Sequence, residues 1–158
     1  MKFRLYSLFY LASLALVVFT LFKPLMYFME PNGELVKVTN FALVAEDGSV
    51  SRSVIALGAV LIVVAAVNLF TLFVSLFSNF ELVKRGTILS MLLLAGYYIL
   101  VLIYSLLTPG ASDEAILDLS KPVLFPFVAL AFNVISFMLV RRKEAKIVAQ
   151  ALGFRLRD

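Results

Sequence analysis

The chain contains no cysteine, no histidine and no tryptophan among its 158 residues. Without cysteine it has no disulfide, no thiolate nucleophile and no cysteine metal ligand. Without histidine it lacks the side chain that most often performs acid–base chemistry near neutral pH. Charge is also scarce, at 15% of residues, and no nucleotide-binding motif or catalytic carboxylate pair occurs. These absences argue against an enzyme and predict no catalytic, cofactor or metal site.

Four long apolar runs without any charged residue make up most of the chain: Leu5–Phe22, Ser53–Phe80, Gly86–Ser112 and Pro122–Val140. A helix needs about 18 or more such residues to cross a bilayer core. Mean hydropathy is +1.04, and the 63% hydrophobic content exceeds the roughly 45–50% of globular domains. Continuous apolarity excludes the alternation of barrel strands. The sequence therefore predicts an all-α membrane protein, a four-helix transmembrane bundle forming one domain over residues 1–158.

We expect four spans, near Leu5–Phe22, Val54–Phe77, Thr87–Leu107 and Val123–Val140. The first is expected to be a true span and not a signal peptide, because its apolar stretch continues well past its small residues. Ten of the 14 basic residues fall on one side of these spans: Lys2, Arg4, Lys84, Arg85, Arg141, Arg142, Lys143, Lys146, Arg155 and Arg157. The positive-inside rule places both termini in the cytoplasm, which indicates a multi-pass protein of a bacterial inner membrane. This distribution explains the net charge of +4 without nucleic acid.

The external loop, residues 23–52, is the largest segment outside the spans. Its stretch Glu34–Val44 is rich in β-branched and aromatic residues, and Glu46–Ser49 has turn chemistry with Gly48 free to adopt positive φ. We predict a short extracytoplasmic β-hairpin here, resting on the bundle. In the second external loop, Ser112–Leu119 is expected to form one amphipathic turn or a short interfacial helix. The loop between spans two and three, Ser78–Arg85, is expected to be a short cytoplasmic connection.

Polar residues recur at helical spacing within two spans. Asn68, Thr71, Ser75 and Ser78 share one face of span two, and Asn133 and Ser136 share one face of span four. One interpretation is a polar track for a substrate or ion. The other is interhelical hydrogen bonding, worth roughly 0.6–2 kcal/mol per contact. The second is favoured, because conduction paths usually contain ionisable residues or broken helices.

The C-terminal tail, residues 141–158, is expected to continue span four as a helix into the cytoplasm. An apolar stripe runs along it between basic residues, at the spacing of one helix face. Membrane-surface binding or partner docking is predicted for Arg141, Arg142, Lys143, Lys146, Ile147, Ala151, Leu152 and Phe154. The basic residues suit anionic lipid headgroups, whereas the stripe suits a cytoplasmic partner.

The chain resembles small bacterial four-span inner-membrane proteins known only as a domain of unknown function. Two places carry the resemblance. One is Leu76–Arg85 running into Leu89–Ile103, and the other is the end of span four, with Arg141–Glu144 and the terminal Leu156-Arg157. The tail departs from the group around Ile147–Leu152, where it is more apolar. The resemblance implies four helices and no assigned activity, so no catalytic residue is carried over.

These observations favour a non-enzymatic integral membrane protein, an accessory or scaffold subunit that binds other membrane proteins. Its expected partners are the lipid bilayer and membrane-protein subunits, with no nucleic acid and no cofactor. One alternative is a small transporter or channel component that uses the face from Asn68 to Ser78. Another is a lipid- or quinone-binding subunit of an enzyme.

Overall fold

The computed structural model describes residues 5–29, 33–77, 79–107, 118–119 and 121–155. Within them lie four α-helices: α1 Leu5–Leu21, α2 Ile55–Leu76, α3 Phe80–Leu107 and α4 Phe125–Arg155. The last three are long and apolar enough to cross a membrane, and α1 is a shorter apolar helix. Large apolar side chains remain exposed on all four, among them Leu8, Phe70, Leu92 and Phe127. The prediction of a mostly helical protein with helices suited to a membrane is confirmed.

The predicted hairpin is part of a larger antiparallel sheet. Among the described residues its strands are β1 Met26–Met29, β2 Leu35–Val38, β3 Ala42–Val44, β4 Val50–Ser53 and β5 Asp118–Leu119. Their order in the sheet is β4-β3-β2-β1-β5. The segment directly after α1 therefore pairs with β2, and the segment before α4 pairs with β1. A lone hairpin is marginal in water, and the added strands remove that weakness.

The turn between β3 and β4 lies where the sequence places it. The Gly48 amide donates to the Ala45 carbonyl at 2.9 Å, and the Ala45 amide donates to the Ser49 carbonyl at 2.9 Å. Gly48 has a φ of 83°, which glycine adopts without a steric penalty. The Asp47 carboxylate accepts hydrogen bonds from the Ser49 hydroxyl and amide, and these lower the pKa of Asp47.

The sheet packs across one end of the helices, which we call the sheet end. The opposite end, which contains Lys84, Arg85 and the residues of α4 after Val140, we call the basic end. A single apolar core joins the sheet to the helices and includes Leu25, Val36, Val38, Leu57, Leu61, Leu94 and Tyr97. A second cluster near the basic end contains Tyr6, Tyr10, Val74, Val83 and Val140. The alternating burial along β2 shows that one sheet face covers the bundle.

Two predicted connections are corrected. Helix α3 begins at Phe80, so most of the expected loop Ser78–Arg85 is helical and the turn after α2 is very short. The Asn79 side chain accepts a hydrogen bond from the Leu82 amide at 3.3 Å, and Glu81 lies in the first turn, where the helix dipole favours an anion. In the expected amphipathic turn, Asp118–Leu119 is a strand, because it pairs with β1; the rest of that segment lies outside the described residues.

Helix α4 is preceded by a 3-10 turn at Lys121–Leu124 and begins at Phe125. Pro126 therefore lies in the first turn, where a missing amide proton removes no helical hydrogen bond. The helix continues without interruption through Arg155, and the prediction that the tail extends span four as a helix is confirmed that far.

Candidate functional site

Four buried polar side chains, one from each helix, meet inside the bundle. Ser13, Asn68, Ser90 and Asn133 are each at most 1% exposed, and we call them the central polar layer. The Asn68 amide donates to the Ser13 hydroxyl at 3.3 Å, and the Ser90 hydroxyl donates to the Asn68 carbonyl at 2.7 Å. The Asn133 amide donates to the Ser90 hydroxyl at 3.0 Å. Asn68 and Asn133, the two asparagines predicted to bond between helices, are thus joined through Ser90, which the sequence pattern did not indicate.

A second set of hydrogen bonds lies nearer the basic end. The Ser7 and Ser75 hydroxyls are 2.9 Å apart, and those of Tyr10 and Thr87 are 2.6 Å apart. Ser136 donates to the Tyr6 carbonyl at 3.4 Å. Ser75 thus contacts α1, and Ser136 bonds the α1 backbone.

Thr71 differs from the other members of its face. Its hydroxyl donates to the Val67 carbonyl of the same helix at 2.7 Å. Its side chain nevertheless lies at the α2–α3 contact, because a Cβ added at Gly86 would collide with it. Ser78, the last member of the predicted face, lies outside the described residues.

An apolar layer closes the central polar layer on the side facing the sheet. Each of its members lies four residues from a polar one and is fully buried: Val17, Val64, Leu94 and Ala129. The side chains of the central polar layer include no ionisable group, and the buried apolar layer adds no polar side chain on the side that faces the sheet. Ionisable side chains are the usual mark of an ion or proton path inside a membrane protein. The geometry of the central polar layer therefore fits a role in bonding the helices to one another.

One atom of the central polar layer has no hydrogen-bond partner among the residues that the structure describes. The Asn133 carbonyl oxygen is buried and accepts no hydrogen bond from the described residues. A buried, unpaired polar atom destabilises a protein by roughly 1–3 kcal/mol. Asn133 therefore contributes one favourable contact and one unfavourable one, whereas both ends of the Asn68 side chain are paired.

We predict that Asn68→Leu destabilises the protein by about 1 kcal/mol and leaves any solute flux unchanged. Asn133→Leu is the matched control and should cost less, because it also removes the unpaired oxygen. Thermal unfolding in detergent measures the ranking. A selective loss of flux in a normally folded Asn68→Leu protein would instead support the transporter alternative.

A third buried polar group lies at the sheet end. Asn40, in the turn between β2 and β3, is fully buried. Its amide donates to the Thr20 carbonyl at 2.7 Å, and its side-chain carbonyl accepts from the Tyr97 hydroxyl at 2.9 Å. Its backbone carbonyl accepts from the Gly58 amide at 2.8 Å. One loop residue thus bonds the end of α1, the start of α2 and the side of α3.

The basic end carries the tail residues singled out in the sequence. Beyond Val140, α4 extends with most of its side chains exposed, and we call residues 141–155 the α4 extension. Along it Ile147, Val148 and Leu152 are each about half exposed, and Ala151 is exposed beside them. The apolar stripe is therefore uncovered. The Phe154 side chain lies outside the described residues.

Ion pairs attach the α4 extension to α3. Lys84 contacts Glu144 of α4 at 3.0 Å and Glu81 of its own helix at 3.3 Å, and Arg85 contacts Glu81 at 3.0 Å. Hydrogen bonding to Glu144 raises the pKa of Lys84, and hydrogen bonds from Lys84 and Arg85 lower the pKa of Glu81. The charged form of Glu81 contributes to folding stability, and this contribution is lost as pH falls through the lowered pKa of Glu81. The charged form of Lys84 also contributes, and its contribution is lost as pH rises through the raised pKa of Lys84.

The remaining tail cations have mixed surroundings. Lys143 lies over the Tyr6 ring with its nitrogen 5.6 Å from the centroid, and Arg141 lies over the Phe137 ring at 6.0 Å. Arg142 and Lys146 are exposed. In the part of the chain that the structure describes, no group of three or more acidic side chains is arranged to hold a metal ion.

The family model described as "Domain of unknown function (DUF4293)" matches residues 3–151. The chain belongs to this family. The match covers α1, α2, α3, the sheet and α4 as far as Ala151, so the DUF4293 domain includes both the central polar layer and most of the α4 extension. The resemblance to a family without an assigned function is confirmed. No protein with a curated description matches the chain.

Proposed function

We propose that this DUF4293 protein is a non-enzymatic membrane protein that serves as an accessory or scaffold subunit for other membrane proteins. The observation that carries the proposal is the closed interior: the central polar layer bonds helix to helix and is covered by a fully buried apolar layer. Such a core favours a role in holding the helices together over a role in carrying a solute. Function is then expected at the two exposed ends.

The proposal places the helices across a bacterial inner membrane with both termini in the cytoplasm. The exposed leucine, isoleucine and phenylalanine side chains around the helices suit a lipid environment. The described residues of the basic end include only two acidic ones, Glu81 and Glu144, and seven basic ones: Lys84, Arg85, Arg141, Arg142, Lys143, Lys146 and Arg155. The positive-inside rule then assigns the basic end to the cytoplasm and the sheet to the outside.

Cysteine labelling tests this topology in a chain that has no cysteine of its own. In intact cells, Glu34→Cys should react with a membrane-impermeant maleimide, and Arg155→Cys should react only after permeabilisation. The parent chain supplies the background. Reaction of Arg155→Cys in intact cells would reverse the proposed orientation.

The α4 extension is the surface that we assign to a partner subunit. Its half-exposed stripe of Ile147, Val148 and Leu152 follows one side of a helix that the Lys84–Glu144 pair holds against α3. An apolar helix face of this kind can dock into a groove of another protein. Its basic residues also favour the anionic lipid surface, by about 1 kcal/mol each when close to it.

Affinity purification in mild detergent followed by mass spectrometry tests the subunit proposal. The parent chain should retain a partner at constant stoichiometry, and Ile147→Ser with Leu152→Ser should lose it at least tenfold. The matched control is Ala149→Ser with Gln150→Ser, which makes the same number of changes on the other side of the helix. If no stoichiometric partner is found, the subunit proposal is wrong; an unchanged partner in the stripe variant would exclude the α4 extension as its site.

A further inference from the structure

A groove with an apolar lining runs along the outer side of the bundle between α2 and α3. It encloses about 500 Å³, within the roughly 300–1,000 Å³ typical of small-ligand sites. Its walls include Ile62, Ala66 and Phe70 from α2 and Leu82, Gly86 and Leu89 from α3. The α2 lining runs from Ile62 to Phe70, a distance of about 12 Å along the helix axis.

Small residues explain why the two helices leave a groove at this point. Gly86 packs so closely on Thr71 of α2 that a Cβ would collide with the threonine hydroxyl. Beside this contact, Ala66 and Gly86 provide little side-chain volume, while Ile62, Phe70, Leu82 and Leu89 stand exposed around them. The result is an open groove whose apolar walls face away from the bundle interior.

Arg85 is the one charged residue that lines the groove in the described part of the chain. Its side chain is 74% exposed, and its Nε donates to Glu81 at 3.0 Å. The two terminal amino groups of the guanidinium have no hydrogen-bond partner among the described residues. Since an arginine can donate two parallel hydrogen bonds to a phosphate, Arg85 can accept an anionic headgroup while keeping its contact with Glu81.

The charge around Arg85 favours an anion. The described residues of the basic end include seven cations and two carboxylates, Glu81 and Glu144, which leaves five net positive charges. Both carboxylates are engaged with Lys84. An apolar groove alone would suit a lipid or a helix, but a helix packed here would have to bury the exposed Arg85 beside its apolar face, at a substantial desolvation cost.

We propose that the α2–α3 groove binds an anionic phospholipid, with one acyl chain between the helices and the phosphate on Arg85. The inference rests on the proposed membrane placement. In that placement Arg85 lies at the cytoplasmic leaflet, where anionic lipids give a negative surface potential.

Native mass spectrometry of the full chain, delipidated and then exchanged into mixed phosphatidylglycerol and phosphatidylcholine, tests the site. The parent chain should retain phosphatidylglycerol selectively. Arg85→Gln should reduce the retained phosphatidylglycerol at least fivefold, and clearly more than Arg142→Gln, which removes an exposed cation of the α4 extension from the same end. An equal loss in both variants would show general attraction to the basic end and overturn the site.

A second pair of variants tests the apolar half of the groove. Ala66→Phe places a ring in the groove and should also reduce retention at least fivefold, while Ala131→Phe, an exposed alanine on α4, should not. Circular dichroism and the melting temperature verify that each variant is folded. Unchanged retention of phosphatidylglycerol by Ala66→Phe would overturn the proposal. It would also be overturned if Ala66→Phe lost a bound protein partner and kept its lipid. Lipid binding that fails while the Arg155→Cys labelling pattern holds refutes the groove site and leaves the membrane placement standing.

Discussion

Replacing Asn40 with leucine should lower the free energy of unfolding by about 2–4 kcal/mol. The substitution leaves the buried Tyr97 hydroxyl without its acceptor and the Thr20 carbonyl without the Asn40 donor. A buried polar group that loses its partner costs roughly 1–3 kcal/mol. The loss falls at the junction of α1, α3 and the sheet, so the sheet should separate from the bundle before the helices unfold. Amide exchange measures the protection of Leu35–Val44 against that of the helices.

Tyr97→Phe is the matched partner in a double-mutant cycle. It removes only the hydroxyl that Asn40 accepts from, and it should cost about 1 kcal/mol by itself. Because the two residues share a hydrogen bond, the double variant should be less destabilised than the sum of the single variants, by roughly 0.5–3 kcal/mol. Additive effects would show that the bond between them contributes nothing to stability.

Gly58→Val should destabilise the protein by about 1–3 kcal/mol, the usual effect of forcing extra side-chain volume into a close contact. Gly58 lies in the first turns of α2, and a Cβ built there overlaps the aromatic ring of Phe41. Phe41 follows Asn40 in the same turn, so the valine would push the turn away from α2. Thermal unfolding in detergent, with amide exchange of Ala42–Val44, measures the effect.

Gly96 provides the control, because a Cβ added there meets nothing within 4 Å. Gly96→Val should therefore leave stability nearly unchanged. Adding Phe41→Ala to Gly58→Val should restore part of the loss, since it removes the ring that the valine meets. If Gly58→Val and Gly96→Val proved equally mild, close packing between the turn and α2 would be refuted.

Local composition is sufficient to predict the helices. An uncharged run of 18 or more apolar residues has few alternatives to a helix suited to a membrane, and the described part of the chain accordingly has three such helices and a shorter apolar one. The Gly48 turn was also predictable, because its hydrogen bonds join residues that lie within five positions of one another. Helical spacing also predicts that Asn68 shares a face with Thr71 and Ser75, and that Asn133 shares one with Ser136.

The remaining features depend on residues far apart in the chain. Strand β5 exists because Asp118–Leu119 meets β1, and no property of those two residues by themselves indicates a strand. Ser13 and Ser90 become members of the central polar layer only when α1 and α3 bring them to Asn68. Lys84 and Glu144, 60 residues apart, pair for the same reason.

Asn40 shows the difference most clearly. In the sequence it is a polar residue in a β-rich loop, where solvent exposure is the ordinary expectation. Its burial follows from the sheet folding onto the ends of α1, α2 and α3, where their terminal backbone groups need partners. Hydrophobic length and local turn chemistry act over a few residues and can be read in order along the chain. Pairing between distant polar groups requires the helices and the sheet to be packed first.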